Sequence, residues 1–484
     1  MISSVCQLVT QNMEHTYAER IAMRYYNEAQ QVVVEKTYRT YAHEIRCAVT
    51  SLREKIPDLA GRKICILSGN NYHYAVNIFA LMLAGAVVVP LNQNKSWDEL
   101  SYELDLVEPE AALWDGGDYP YNESLIQRFG DRLLPIDHYT ACTVPAEISE
   151  CADLDALLMI MFTSGTTGRS KGVMLSQRAI FSVMHPFTGI GERFCKELQN
   201  ENTVLSHCTV LPMFHMAAFT CLFSWSMKGW ALNLCSLRSF YRDIALMPSE
   251  AMGVVPVIMQ TIHSDMMRGR RDRLGPLWSP VCGSASFAPQ MLLDLAGQGM
   301  FIVQTYGLTE TCGDGMINYA QDPKHIGAVG KPEGICEIKL DDGELCIRGD
   351  SVMLGYYKDP EATAQVIDSE GWFHTGDLAR VDEEGYYFLT GRKKNLIILS
   401  SGENVSPEEL EQVLGHCDAI QECLVKEKNR KICAVIRCPE DRQKEAEAYV
   451  ADYNRTLPLY KRINLIEFCT EPLPRNATGK LVRK

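Results

Sequence analysis

No Cys-x-x-Cys pair occurs anywhere in this sequence, although it holds 18 cysteines; the tightest pairs are Cys433/Cys438 and Cys417/Cys423. That absence removes the ligand spacing of zinc ribbons and of thioredoxin-type redox motifs. The opening MISSVCQLVTQNMEHTYAER has no apolar signal core, so a secreted, disulfide-stapled scaffold is not expected. Many cysteines instead lie in apolar strand-like runs such as KICILS, GELCIRG and KICAVIRC. They read as reduced, buried, small hydrophobes of a cytoplasmic protein.

Positive charge is scarce as well: 47 Lys and Arg face 61 Asp and Glu, a net of −14. A nucleic-acid-tracking surface needs clustered cations, so that class is set aside. A few local cations still suffice to hold a small anionic ligand. The chain also lacks a long clean apolar run. Two stretches, 64–94 and 202–227, carry no Asp, Glu, Lys or Arg. Gly69-Asn70-Asn71, Gly85 and Pro90 break the first, and His207, Pro212 and His215 interrupt the second. Neither offers the roughly 20 apolar residues of a transmembrane helix. No internal repeat or low-complexity tract is visible.

What is present is a chain of 484 residues, 46% hydrophobic and 22% charged, enough for about three folded units. Up to about residue 310, strand-like runs (ICILS, AVVVPLN, LLMIMFTS, TVLPMF, GMFIVQTYG) alternate with helical patterns such as 72–84. That alternation predicts parallel α/β layers. Between about 325 and 400, glycines and short alternating segments predict turns and antiparallel strands. Ser406-Pro407-Glu408-Glu409 then opens a helix, with Ser406 as cap, Pro407 at the first position and Glu409 completing a capping box. A small α+β unit follows, with strands near CLVKEK, KICAVIRC and INLIEF and a helix at about 438–455.

The strongest local signal is MFTSGTTGRSKGVMLS, 161–176. An apolar strand enters six residues made only of Thr, Ser and Gly: Thr163, Ser164, Gly165, Thr166, Thr167 and Gly168. Glycines let backbone N–H groups line a concavity, hydroxyls add donors, and Lys171 adds a positive charge. This suits a polyphosphate. It is not a Walker A loop, because no glycine precedes Lys171 and Gly172 follows it.

TSGTTGRSKGV resembles the phosphate loop of the adenylate-forming superfamily: acyl-CoA synthetases, peptide-synthetase adenylation domains and luciferases. Further signatures follow in that family's order: AGAVVVPLN (84–92), GSA (283–285), QTYGLTET (304–311), GELCIRGDSVMLGYY (343–357), GWFHTGDLARVDEEGYYFLTGRKKN (371–395) and PRNATGK (474–480). The resemblance spans essentially the whole chain. It implies an α/β fold, with a large N-terminal body (1–392) of layered α/β sheets plus a distorted β-barrel, and a small mobile α+β C-terminal domain (393–484).

The same resemblance assigns roles. Tyr306 lies against adenine, with Gly307 beside it, and Gly283, Ser284 and Ala285 form the opposite wall. Thr309 contacts the α-phosphate and Glu310 holds Mg²⁺, for which a carboxylate is the right hard ligand. Asp377 and Arg392 hold the ribose, Lys394 is the hinge, and Lys480 is the catalytic lysine bridging carboxylate and α-phosphate. His215, Met216, Ala217, Phe219, Gly307 and Leu308 line the acid pocket, followed by a thiol tunnel at Ser401, Gly402 and Glu403. His215 in LPMFHMAAF, with no acidic residue after the Phe, favours an acid without an α-amino group. Ser170 departs from the family, where proline is common before the loop lysine. The implied reaction is ATP-dependent activation of a carboxylic, most simply fatty, acid as its adenylate. Transfer to a thiol follows, that of CoA or of a holo-carrier protein's phosphopantetheine, with AMP and pyrophosphate released. A degenerate nucleotide-binding sensor is the competitor from another class. The chain ends soon after Lys480, so no fused carrier domain is expected.

Overall fold

The computed structural model describes residues 2–139, 144–150, 153–163, 169–198, 204–283, 287–313, 315–332, 336–398, 404–429 and 431–474. Two large sheets organise the first 360 residues. In one, seven strands run in the order Gly355–Tyr356, Lys171–Ser176, Leu157–Thr163, Val87–Leu91, Lys63–Leu67, Ala111–Trp114 and Leu133–Pro135. Its Val/Ile/Leu-rich central strands are parallel and buried on both faces, as crossover helices require. The second sheet has nine strands, whose centre, Val303–Gly307, Ser279–Cys282, Ala251–Val254, Ser206–Thr209 and Ala231–Leu234, is parallel throughout.

Helices Tyr72–Leu83 and Met216–Lys228 are buried almost along their whole length. Asn71 caps the first by accepting the Tyr74 N–H. Gly229 ends the second at φ +65°, where a Cβ would stand 2.2 Å from the Tyr17 ring. Their contact is aromatic: Phe223 lies 4.6 Å from Phe79 and 4.5 Å from Phe219 between ring centroids. Each such ring contributes roughly 1.5–3 kcal/mol by leaving water.

Two expectations change. The run TVLPMF is not a strand beyond Thr209. Pro212 has no N–H to offer a ladder, and Asn70 takes over the pairing, donating to the Leu211 carbonyl (2.7 Å) and accepting the Met213 N–H (2.9 Å). The expected capping box at Ser406 is half made. Ser406 accepts the Glu409 N–H, but the Glu409 carboxylate turns to Lys461 at 3.0 Å. In the region where the resemblance implies a distorted barrel, the described pairings include a four-stranded antiparallel sheet: Glu337–Asp341, Glu344–Arg348, Phe373–Val381 and Tyr387–Arg392.

Beyond residue 396 a separate hydrophobic cluster runs from Ile397 to Ile463. It packs the strands Glu422–Lys428, Lys431–Arg437 and Leu465–Cys469 with helices Pro407–Leu414 and Gln443–Thr456. Among the described residues, fifteen cysteines form no disulfide and twelve of these are buried, while Cys47 is disulfide-bonded. Among the described residues, no helix is long and apolar enough to cross a membrane.

Candidate active site

The parallel strands of the nine-stranded sheet end together, and their carboxyl ends carry the signature residues. Cys282 leads into Gly283, Val303–Gly307 delivers Tyr306 and Gly307, and the segment after Thr209 delivers His215. Such an edge is where α/β sheets bind ligands. Two glycines let backbone come close here. A Cβ on Gly307 would sit 2.1 Å from the Gly313 carbonyl oxygen, and one on Gly283 would sit 2.7 Å from Thr305 Oγ1.

Tyr306 is nearly buried, and its hydroxyl donates to Asp377 Oδ2 at 2.7 Å. Arg392 Nε meets the other oxygen, Oδ1, at 2.5 Å. Asp377 and Arg392 face each other across the antiparallel pair Phe373–Val381 and Tyr387–Arg392, so register alone brings this ion pair together. Asp377 is 3% exposed; a carboxylate so placed needs charge-assisted partners.

A second group lies beside it. The strands Leu157–Thr163 and Lys171–Ser176 pair antiparallel with Thr163 opposite Lys171. The strands on either side of the Ser/Thr/Gly segment are therefore antiparallel neighbours in one sheet, whereas a Walker loop joins a strand to a helix. Tyr356, on the edge strand paired to Lys171–Ser176, carries the Lys171 ammonium 4.6 Å from its ring centroid. The Tyr356 hydroxyl donates to Glu310 Oε1 at 3.0 Å. Lys171, Tyr356 and Glu310 thus form one chain, and Arg392 also acts on Glu310 electrostatically.

Burial raises the Glu310 carboxyl above its ordinary value of 4.5, against the lowering pull of Tyr356, Arg392 and Lys171. A carboxyl raised on folding favours the folded state below its unfolded value, and that contribution is lost as pH rises through the folded value. Glu310→Gln should therefore raise the melting temperature at neutral pH, with the gain vanishing below about pH 4.5. Thermal unfolding across pH 4–8 checks this; an unchanged difference between the two proteins over that range contradicts it.

His215 occupies the cap position of helix Met216–Lys228 without a side-chain capping bond, its ring 4.7 Å from Phe214. Ala217 is half-buried. Met216 and Phe219 belong to the main hydrophobic core, with Leu308 packed against the same cluster. Thr309 and Glu310 sit in the short 3-10 turn Thr309–Thr311. Lys394 lies in the turn Lys393–Asn395, where desolvation and the neighbouring Arg392 lower its pKa. Ser164 to Gly168, Ser284, Ala285, Ser401 to Glu403 and Lys480 lie outside the described residues.

Tyr356 escaped the sequence reading. It stands inside the segment GELCIRGDSVMLGYY, but nothing in one strand says which ring will lie under a lysine 185 positions earlier. Thr375, whose Oγ1 accepts the Asp377 N–H at 3.0 Å and donates to the Leu345 carbonyl at 2.7 Å, was also missed. Cys346, the cysteine within the signatures, is buried. Desolvation and Glu344 push its thiol up to about 11, which keeps it protonated and unreactive.

A family model described as "AMP-binding enzyme" matches residues 10–357. The chain is 28% identical to the long-chain-fatty-acid–CoA ligase FadD13 of Mycobacterium tuberculosis, over 87% of each chain. It is 29% identical to a feruloyl-CoA synthase of Amycolatopsis, over 87% of this chain and 88% of the other. The structure of O-succinylbenzoate coenzyme A synthetase from Bacillus subtilis with ATP and magnesium ion superposes with a TM-score of 0.78, at 25% identity and 98% coverage of both chains. ATP-bound MatB from Rhodopseudomonas palustris shares the fold, with a TM-score of 0.82 at 21% identity over 99% and 97%. With the family model covering well over half of its length, and with the tyrosine, acid and base groups gathered where three sheets meet, the chain belongs to the AMP-binding enzyme family.

Proposed function

We infer that this protein ligates a carboxylic acid to coenzyme A through an acyl-adenylate, consuming ATP and releasing AMP and pyrophosphate. The observation that carries the reading is the convergence of Tyr306–Asp377–Arg392 with Lys171–Tyr356–Glu310 where three sheets meet, in a chain similar over most of its length to CoA ligases.

Each group has a task that its chemistry suits. Asp377 accepts from the ribose hydroxyls, and Arg392 both orients that carboxylate and offers further donors. Tyr306, Gly307 and the 283–285 segment enclose the adenine. Residues Thr163 to Gly168 and Lys171 hold the β- and γ-phosphates, and Thr309 the α-phosphate. Glu310 fits a divalent cation: it is a hard oxygen donor, partly desolvated, with one oxygen already oriented by Tyr356. Bound there, Mg²⁺ would offset phosphate charge as it develops. His215, Met216, Ala217, Phe219 and Leu308 shape the acid pocket. The acid has no α-amino group, and a fatty acid is the simplest candidate.

The units divide at 392/393. Residues 393–484 turn about Lys394 between half-reactions, withdrawing Lys480 and admitting the thiol past Ser401, Gly402 and Glu403. The protein works in the cytoplasm.

The decisive experiment is pyrophosphate exchange with straight-chain acids from acetate to stearate and with aryl acids, followed by thioester transfer to CoA or to a holo-carrier protein. Exchange with one acid class and transfer to CoA are expected. If no carboxylate supports exchange, the ligase reading fails.

A further inference from the structure

Lys95 and Glu103 form an ion pair removed from water: the Glu103 side chain is fully buried and that of Lys95 is 16% exposed. One Glu103 oxygen, Oε2, has no hydrogen-bond partner among the described residues. A buried pair with an unsatisfied oxygen is not a stability device, since apolar side chains of similar size would serve as well or better. Its surroundings suggest another use.

The Lys95 ammonium also donates to Ser170 Oγ at 3.2 Å and lies 5.9 Å from the ring centroid of Phe162. Ser170 immediately precedes Lys171, and Phe162 immediately precedes Thr163. The residues on both sides of the Ser/Thr/Gly segment therefore meet one lysine. Next to Glu103, on the same helix Trp97–Val107, Tyr102 carries the Arg169 guanidinium 5.1 Å from its ring centroid. Helix Trp97–Val107 thus holds Arg169 through Tyr102 and, through Glu103 and Lys95, Ser170, the residue standing where the family resemblance expects proline. Proline would stiffen the chain there by restricting φ. A hydroxyl held by a buried ammonium achieves the same end through a hydrogen bond.

We propose that Lys95 and Glu103 are positioning residues: the pair anchors Ser170 and so sets the Lys171 ammonium at the place of the β- and γ-phosphates. Glu103 acts through Lys95 and directly, since the Ser170 side chain also hydrogen-bonds to it. It keeps Lys95 from reaching into the phosphate site, and its fixed charge holds the ammonium against Ser170. This proposal rests on the nucleotide reading above, and its test separates the two.

ATP and AMP binding is measured at equilibrium for the wild type, Ser170→Ala, Ser170→Thr and the double variant Lys95→Met/Glu103→Leu. AMP lacks the two phosphates that Lys171 would hold, while both nucleotides use Tyr306, Asp377 and Arg392. ATP affinity should fall about tenfold in Ser170→Ala and in the double variant. AMP affinity should stay within about twofold, and Ser170→Thr should restore ATP binding. Replacing both charges by apolar side chains spares the fold the cost of an unpaired ion; should the double variant still not fold, the Ser170 pair decides. Equal losses for ATP and AMP, or no loss for ATP, overturn the anchor while leaving the ligase reading standing. A wild type that binds neither nucleotide overturns both.

Discussion

Lys480→Ala slows acyl-adenylate formation by about 10²-fold or more, while thioester formation from preformed acyl-adenylate survives. The asymmetry follows from where charge moves. When a carboxylate attacks the α-phosphorus in line, negative charge redistributes over the attacking, equatorial and leaving oxygens, and an ammonium touching carboxylate and phosphate lowers that barrier directly. In the thiol step the leaving group is AMP, for which the proposed holders, Asp377 and Arg392, are unchanged in the variant. Pyrophosphate exchange reads the first step and CoA consumption from synthetic acyl-adenylate reads the second. Near-normal exchange by the variant removes Lys480 from the mechanism; equal loss of both steps makes its role structural.

The second large effect concerns Asp377. Its carboxylate already binds Arg392 at 2.5 Å and the Tyr306 hydroxyl at 2.7 Å while 3% exposed, so its orientation is set before nucleotide arrives. Asp377→Ala removes the ribose acceptor and leaves Tyr306 and Arg392 facing a hole. AMP affinity should fall roughly 10²-fold, the worth of two charge-assisted bonds. Stability should fall by about 1–3 kcal/mol rather than the larger cost of a fully buried pair, because the Arg392 side chain is 35% exposed and water can reach it. Tyr306→Phe gives a graded control, deleting one donor to Asp377 while keeping the ring. Calorimetric titration with AMP and urea unfolding provide both numbers. An Asp377→Ala protein that still binds AMP within about twofold of wild type would falsify the ribose assignment.

Segments whose function depends on their own backbone were legible from residue order. Gly307 and Gly283 stand where other groups come within 2.1 and 2.7 Å of a Cβ position, the close approach that only glycine allows. The Asp377–Arg392 pair was legible through the motifs on its two strands, which the register then placed opposite each other. Helix Tyr72–Leu83 and the strands of the C-terminal unit were found because apolar periodicity is a local property.

Other features depend on which distant segments meet. The expected capping box at Ser406 fails because Lys461, 52 positions away, attracts the Glu409 carboxylate. TVLPMF stops being a strand because Asn70 satisfies its backbone from another element. Phe219, also assigned to the acid pocket, lies against Phe223 in the core with ring centroids 4.5 Å apart, since one helix face has to cover helix Tyr72–Leu83. Tyr356 joins Lys171 to Glu310 only because a two-residue strand adds to the sheet edge beside Lys171–Ser176.

The sequence by itself indicated the kind of chemistry: a net charge of −14 argues against a nucleic-acid surface, the loop and its lysine suit a phosphate, and the ordered motifs resemble those of adenylate-forming enzymes, in line with the AMP-binding family match. The tertiary structure alone decided how those groups are held, through the Tyr306–Asp377–Arg392 and Lys171–Tyr356–Glu310 chains and the buried Lys95–Glu103 pair beneath the phosphate loop. A motif is written along the chain, whereas the packing that orients it comes from residues whose only link to it is the fold.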